Sequence, residues 1–188
     1  MAFGDAAGEQ TREERLEIAR RYRERRREQL RARVAPVVEG DVLAAGEFST
    51  VPTEAIASIP GLGMLLLPIA RRRSRRVGLS PNIMLAVTAD TVHAIAVDAA
   101  GLRRDETEVA VARSWLRGEV SAERGGRAFM RDKILLHVPD ADEPLTLYAP
   151  TLRTNPWSAE VVRMLGGEAP EPLDLDGPRR ESSDSGIS

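Results

Sequence analysis

The stretch "DKILLHVPDADEPLTLYAP", residues 132–150, carries the clearest β-hairpin signal in the chain. Two apolar, β-rich runs, residues 134–138 and 145–148, flank the polar segment "PDADEP". Proline and aspartate favour turns, because proline fixes its φ angle and aspartate can hydrogen-bond the backbone close to it. The pattern predicts two antiparallel strands joined by a turn.

Downstream of the hairpin, "NPWSAEVVRMLGG" at residues 155–167 predicts a short helix that caps the sheet. Asn155 is a favourable N-cap residue, Pro156 suits the first helical position, and Gly166 marks the end. Residues 168–188 hold six acids and two arginines, and this composition predicts a disordered acidic tail. The apolar face that we expect to pack on the sheet consists of Trp157, Val161, Val162, Met164 and Leu165.

Upstream of the hairpin, further segments predict β-strands. Residues 83–88 and 91–97 are β-rich runs separated by the dipeptide "AD", which indicates a second hairpin. The segment 108–126 alternates well enough for one or two strands, with breaks expected at Gly118 and at Gly125–Gly126. These strands and the first hairpin predict a small antiparallel sheet.

The N-terminal part of the chain predicts a charged helix followed by the first strand. "TREE", residues 11–14, has the residues of a capping box, and we expect the helix over residues 11–35, with Pro36 ending it. The helix contains ten arginines, five glutamates and few apolar residues, so we expect it to be solvated, either projecting or lightly docked. Residues 1–10 are expected to be disordered, and residues 42–51 predict the first strand.

The element order is helix, strand, long loop, at least five short strands and a helix, which predicts a mainly β (α+β) fold. In this order the chain contains the segments "VLAAGEF", "NIMLAVTADTVHAIAV", "ARSWLRGEVSAERG", "ILLHVPDADEPLTLYA" and "WSAEVVRMLGG". Through these segments the chain resembles a bacterial pleckstrin-homology-like domain over residues 41–167. The resemblance implies a bent antiparallel sheet or barrel of seven strands, capped by the C-terminal helix. It also implies a non-catalytic module that binds lipid head groups or proteins, often through a basic loop between the first two strands.

The long loop between the first two strands, residues 52–82, contains "IPGLGMLLLPIARRRSRR", residues 59–76. An uncharged run meets an arginine cluster here, as in a peripheral membrane contact. Each arginine near an anionic lipid surface contributes about 1 kcal/mol, and inserted apolar side chains give a second attachment signal. The predicted lipid- or anion-binding residues are Arg71, Arg72, Arg73, Arg75 and Arg76. The predicted membrane-inserting residues are Leu62, Met64, Leu65, Leu66 and Leu67.

Other interpretations of residues 59–76 stay open from the sequence. The arginines could form a solvated loop without a ligand or contact a protein partner, and the leucines could pack beneath the sheet. Nucleic acid is disfavoured as a partner, because arginine clusters neutralise phosphates but aromatic residues make up only 4% of the chain, too few for base stacking. A protein-interaction adaptor that acts through the N-terminal helix or an exposed sheet edge is the alternative function.

The chain lacks the residue types and motifs of the common catalytic and metal sites. Cysteine is absent, which excludes disulfides, thiolate metal sites and cysteine nucleophiles. No nucleophile-elbow motif occurs, and no run of about 18 apolar residues predicts a membrane-spanning helix. We expect a non-enzymatic cytoplasmic protein without cofactor or metal, attached to the inner face of the plasma membrane if the arginines bind lipid. The residues weighed for chemistry and assigned to structural or surface roles are His93, His137, Asp140, Asp142, Glu143, Trp115 and Trp157.

Overall fold

The computed structural model describes residues 12–51, 78–97, 109–128 and 130–170. These residues form an α+β fold, as predicted, with seven strands and two α-helices. The predictions for residues 1–10, for residues 59–76 and for the tail from residue 171 onward lie outside the described residues. The elements are α1 (Arg12–Val34), β1 (Ala44–Ser49), β2 (Asn82–Val87), β3 (Thr91–Ala96), β4 (Ala110–Leu116), β5 (Ser121–Ala128), β6 (Arg131–His137), β7 (Leu145–Pro150) and α2 (Pro156–Met164).

The strands form one antiparallel sheet in the order β4-β3-β2-β1-β7-β6-β5. Neighbouring strands pair along most of their length in the groups β1–β4 and β5–β7. Between the groups, β1 and β7 meet at the single pair Ser49 and Tyr148. The sheet therefore consists of two well-paired halves joined at one short junction, with β4 and β5 as its edges.

Helix α2 fills the space beside β1 before its junction with β7. The Ser158 hydroxyl accepts a hydrogen bond from the Glu47 backbone N–H and donates one to the Glu47 carbonyl, each at 3.2 Å. The backbone of Gly46 allows this approach, because a Cβ there would lie 2.8 Å from the Ser158 Cα. The hydroxyl thus satisfies backbone groups that a neighbouring strand would otherwise pair, as buried N–H and C=O groups require.

Apolar side chains on the two faces of β2 belong to two separate clusters. On the inner face, Ile83 and Leu85 pack in the main core with residues of β6, β7 and α2. On the outer face, Met84 packs with Leu30 and Val34 of α1. The strand is therefore buried on both faces, which explains its continuous apolar sequence.

Helix α1 is docked at its C-terminal end and exposed at its N-terminal end. Leu30 and Val34 are 1% and 0% exposed, whereas Ile18 and Tyr22 are 53% and 62% exposed. The expectation of a solvated or lightly docked helix therefore describes only the first half. The helix has few apolar residues, but Leu30 and Val34 are one turn apart, so they share the face that covers the sheet.

Two local predictions need correction. Gly118 does separate β4 from β5, but Gly125 and Gly126 do not end a strand. They lie inside β5, where the register with β6 shifts and Gly126 has a φ of 96°; this combination is typical of a β-bulge. Asn155 precedes α2 as predicted, but its amide donates to the Thr151 carbonyl at 3.1 Å and makes no side-chain cap on the helix.

Candidate functional site at one end of the sheet

Both ends of the segment 52–77 are fixed at the same end of the sheet. The Thr50 N–H donates to the Pro81 carbonyl at 2.9 Å, and the Thr50 hydroxyl donates to the Ser80 carbonyl at 3.1 Å. We call this hydrogen-bonded base of the β1–β2 connection the stem. The predicted binding residues belong in sequence to the connection that the stem closes, and they lie outside the described residues: Arg71, Arg72, Arg73, Arg75, Arg76, Leu62, Met64, Leu65, Leu66 and Leu67.

Side chains from β4 and from the β6–β7 turn meet beside the stem. A Cβ at Gly78 would lie 3.1 Å from the Arg113 Nη2 atom, so the returning end of the β1–β2 connection touches β4. Arg113 forms an ion pair with Asp140, and the Trp115 indole N–H donates to the other Asp140 oxygen at 2.7 Å. Asp140 therefore has a structural role in its turn, and it neutralises Arg113.

Contacts with β1 give the direction of helix α1. Arg31 donates to the Leu43 carbonyl just before β1, whereas Arg26 lies 2.6 Å from the Glu47 carboxylate further along the strand. Helix and strand therefore run antiparallel. Residues 12–25, which we call the N-terminal half of α1, span about 21 Å at 1.5 Å per residue. This half points toward the end of β1 at which the stem lies.

The N-terminal half of α1 combines positive charge with exposed apolar side chains. Residues 12–25 contain six arginines and four glutamates. One of these acids, Glu17, is paired with Arg21 at 2.8 Å. Ile18 and Tyr22 are more than half exposed. The first half of the helix therefore has the composition of a surface that binds an anionic partner.

His93 on β3 is buried in a small hydrogen-bonded network. Its Nδ1 atom lies 2.8 Å from the Ser114 hydroxyl, and its Nε2 atom lies 3.1 Å from the Thr91 hydroxyl. Burial lowers the pKa of His93 below its ordinary value, and the Glu39 carboxylate opposes that shift. A serine beside a histidine can be an activated nucleophile when a third group orients the histidine. Here that third group is a threonine hydroxyl, and the arrangement fits a structural network.

Asp132 is a buried carboxylate that the sequence analysis did not single out. It is 0% exposed, and it accepts hydrogen bonds from Arg124 at 2.7 Å and from the Leu152 backbone N–H at 2.8 Å. These bonds link β5, β6 and the segment after β7. The available signal was its position: Asp132 shares the inward face of β6 with Ile134 and Leu136, and an acid on such a face requires partners.

A shallow, open depression lies beside the β2–β3 turn, where β4 leads into β5. Its lining includes Leu116, which is 58% exposed, together with Asp90, Arg117 and Met164. One acid and one arginine on an open surface do not form the convergent set of groups that catalysis needs. We therefore assign no chemistry to this depression.

Within the described ranges, no helix has the length and apolar character needed to cross a membrane. The same residues contain no group of three or more histidine, cysteine or acidic side chains suited to a metal ion. His137 contacts Glu123 at 3.4 Å and not the network around His93. A scan against protein-family models and searches of curated proteins and solved structures found no match to this chain.

Proposed function

We propose that the chain is a non-catalytic module of the pleckstrin-homology-like fold that associates with anionic membrane surfaces through residues 59–76. The five arginines of residues 71–76 attract lipid phosphates, and Leu62 with residues 64–67 enters the apolar part of the interface. The fold assignment is supported by the seven-stranded antiparallel sheet and by the C-terminal helix α2 that packs where the sheet is weakly joined.

The position of the stem is the observation that carries this proposal. The arginine-rich segment is tethered to the end of the sheet toward which the N-terminal half of α1 points. Arg113 beside the stem is neutralised by Asp140. Arg113 therefore adds little to the attraction, and we assign the attraction to an anionic surface to the tethered segment and to the helix.

The energetics favour an attachment that depends on lipid charge and on salt. Five arginines at about 1 kcal/mol each give a useful attraction, but exposed charges are screened over a Debye length of about 8 Å at physiological ionic strength. The leucines supply the second signal that stable attachment requires. Binding should therefore be strong on anionic vesicles at low salt and weak on vesicles of phosphatidylcholine alone.

Co-sedimentation with phosphatidylcholine–phosphatidylserine vesicles tests the proposal. We compare the full chain with an Arg72→Ala/Arg73→Ala variant and with a control, Arg153→Ala/Arg163→Ala, which removes two exposed arginines elsewhere. Loss of two lipid contacts should weaken partitioning by at least about tenfold, whereas the control should bind like the unchanged protein. Equal pelleting of all three proteins, or an equal loss in the control, contradicts the proposal.

A protein-interaction adaptor is the second candidate, and the exposed edge strand β4 favours it. Val111 and Leu116 on this strand are 38% and 58% exposed, and an edge strand offers backbone groups for pairing with another chain. A Val111→Arg/Leu116→Arg variant separates the two functions. An adaptor should lose its partner in a pull-down while keeping its vesicle binding, and retention of the same partner excludes the β4 edge.

A further inference from the structure

We infer that the N-terminal half of α1 forms a second contact with the same anionic membrane surface. Ile18 and Tyr22 enter the interface, and Arg25 binds lipid phosphate beside them. We call these three residues the outward face of α1. The inference rests on the proposed function, because it extends the membrane contact from residues 59–76 to a surface that the structure describes.

The outward face is turned away from the sheet. At 100° per residue, the direction between Ile18 and Tyr22 lies roughly 120° around the helix axis from the direction between Leu30 and Val34. The latter two residues are buried against the outer face of the sheet. Ile18 and Tyr22 are four residues apart, so their side chains are neighbours on the helix surface.

The chemistry of the outward face fits a lipid interface. Tyrosine is enriched at the head-group level of membranes because its ring is amphipathic, and isoleucine adds apolar area. The N-terminal half of α1, residues 12–25, carries six arginines against four glutamates, a surplus of two positive charges (6 − 4). Apolar side chains surrounded by arginines are typical of helices that lie in an anionic membrane surface.

A second copy of this chain fits the outward face less well than a lipid surface does. Pairing two identical outward faces would bring the two arginine surpluses together, and like charges repel across an interface. An anionic bilayer instead offers negative charge over its whole area and an apolar layer below it. Charge complementarity therefore selects lipid as the occupant.

The direction of α1 allows both contacts to meet one membrane plane. The helix runs antiparallel to β1, so its N-terminal half points toward the stem from which residues 59–76 emerge. The docked C-terminal half holds this orientation through ion pairs from Arg27 and Arg31 to Glu160, at 3.0 Å and 3.4 Å. Two contacts carried by one chain bind a surface more tightly than either contact alone.

Tryptophan fluorescence tests the contact directly. The natural tryptophans, Trp115 and Trp157, are 6% and 5% exposed, so they give a background that vesicles should barely change. A Tyr22→Trp variant adds a probe on α1, and a Leu66→Trp variant adds one to residues 59–76. With phosphatidylserine vesicles that contain brominated phosphatidylcholine, we expect both probes to be quenched and shifted to the blue.

A substitution pair then measures the contribution of the outward face. Ile18→Ser/Tyr22→Ser should weaken vesicle partitioning by about tenfold without changing the melting temperature, because both side chains are exposed. The matched control is Met130→Ser, which removes an apolar side chain that is 80% exposed on the β5–β6 turn. This control should bind vesicles like the unchanged protein.

The outcomes separate the inference from the proposed function. Quenching at position 66 without quenching at position 22, together with full vesicle binding by Ile18→Ser/Tyr22→Ser, overturns the inference and leaves the proposed function standing. Binding that depends on position 22 and not on the arginines at 72 and 73 overturns the proposed function instead. Analytical ultracentrifugation without lipid compares the mass of the particle formed by Ile18→Ser/Tyr22→Ser with that formed by the unchanged protein. A smaller mass for the variant shows that the outward face is a self-association surface and overturns the inference.

Discussion

Strands β1–β3 and strands β5–β7 belong to one sheet, but their outer faces are covered differently. Over β1–β3, α1 lies on the outer face, where Met84 and Ile95 are 0% exposed, as are inner residues such as Ile83. Along β6 and β7, buried residues alternate with partly exposed ones. We call β1–β3 the covered half and β5–β7 the open half.

The two halves also differ in what links their elements. In the covered half, Leu30 and Val34 bury apolar area, and the arginines of α1 pair with Glu47 and Glu160. In the open half, the carboxylate of Asp132 links two strands to the segment before α2. Charge content alone therefore does not decide whether a helix belongs to the core. The position of a few apolar residues decides it.

The largest expected effect comes from uncovering the covered half. Leu30→Ala removes a side chain that is 1% exposed, and it should lower the free energy of unfolding by about 3 kcal/mol, because a buried cavity replaces packed atoms. Leu116→Ala is the matched control, since this leucine is 58% exposed on β4; it should change stability by less than about 0.5 kcal/mol. Urea denaturation gives both values. Equal losses would mean that α1 is not part of the core.

The Asp132 carboxylate, which links the elements of the open half, should contribute less to the free energy of unfolding than Leu30 does. Asp132→Ala leaves the buried Leu152 N–H without its acceptor, and we expect a loss of about 2 kcal/mol. The loss stays below that of a fully buried ion pair because the Arg124 side chain is 35% exposed and can bind water instead. The exposed turn residue Asp142 provides the control. If Asp142→Ala destabilised the protein as much as Asp132→Ala, the link would have no special role.

The contact between β1 and α2, next to the junction of the halves, should be sensitive to a single added methyl group. Gly46→Ala places a Cβ 2.8 Å from the Ser158 Cα, so α2 must move away from β1. We expect a loss of about 1.5 kcal/mol from this overpacking, measured by urea denaturation. A Cβ at Gly118 meets no atom within 4 Å, so Gly118→Ala should leave stability nearly unchanged. A stable Gly46→Ala protein would show that α2 is free to shift.

Much of the fold could be predicted from local sequence patterns, because hairpins and caps are local. The β2–β3 and β6–β7 hairpins and the helix that starts at Pro156 all follow from short-range signals. The docking of α1 could not be predicted in this way. It depends on Leu30 and Val34 sharing one apolar cluster with Ala45 of β1 and with Met84 of β2. Periodicity within the helix does not report such partners.

The candidate site could be predicted only in part. The arginine cluster is visible in sequence as a run of charge, but its relation to the sheet end depends on the stem at Thr50 and Pro81. The antiparallel direction of α1 likewise depends on Arg31 contacting Leu43 before β1 and on Arg26 contacting Glu47 within β1. Long-range contacts of this kind bring charges together that lie far apart in the chain, and composition alone does not locate them.

The smallest expected effect is a pH dependence of stability that comes from His93, on β3 of the covered half. Burial lowers the pKa of His93, whereas the unfolded chain has an ordinary histidine pKa of about 6.5. As the pH falls below about 6.5, the unfolded state therefore takes up a proton that the folded state still resists, and the free energy of unfolding decreases. This stability is fully present above the unfolded pKa and is lost as the pH falls through the folded pKa.

We expect the His93→Gln variant to show a shallower decline in the free energy of unfolding between neutral and mildly acidic pH than the unchanged protein. Urea denaturation at each pH measures both curves. Parallel curves for the unchanged protein and His93→Gln would show that protonation of His93 does not contribute to the acid sensitivity of the fold.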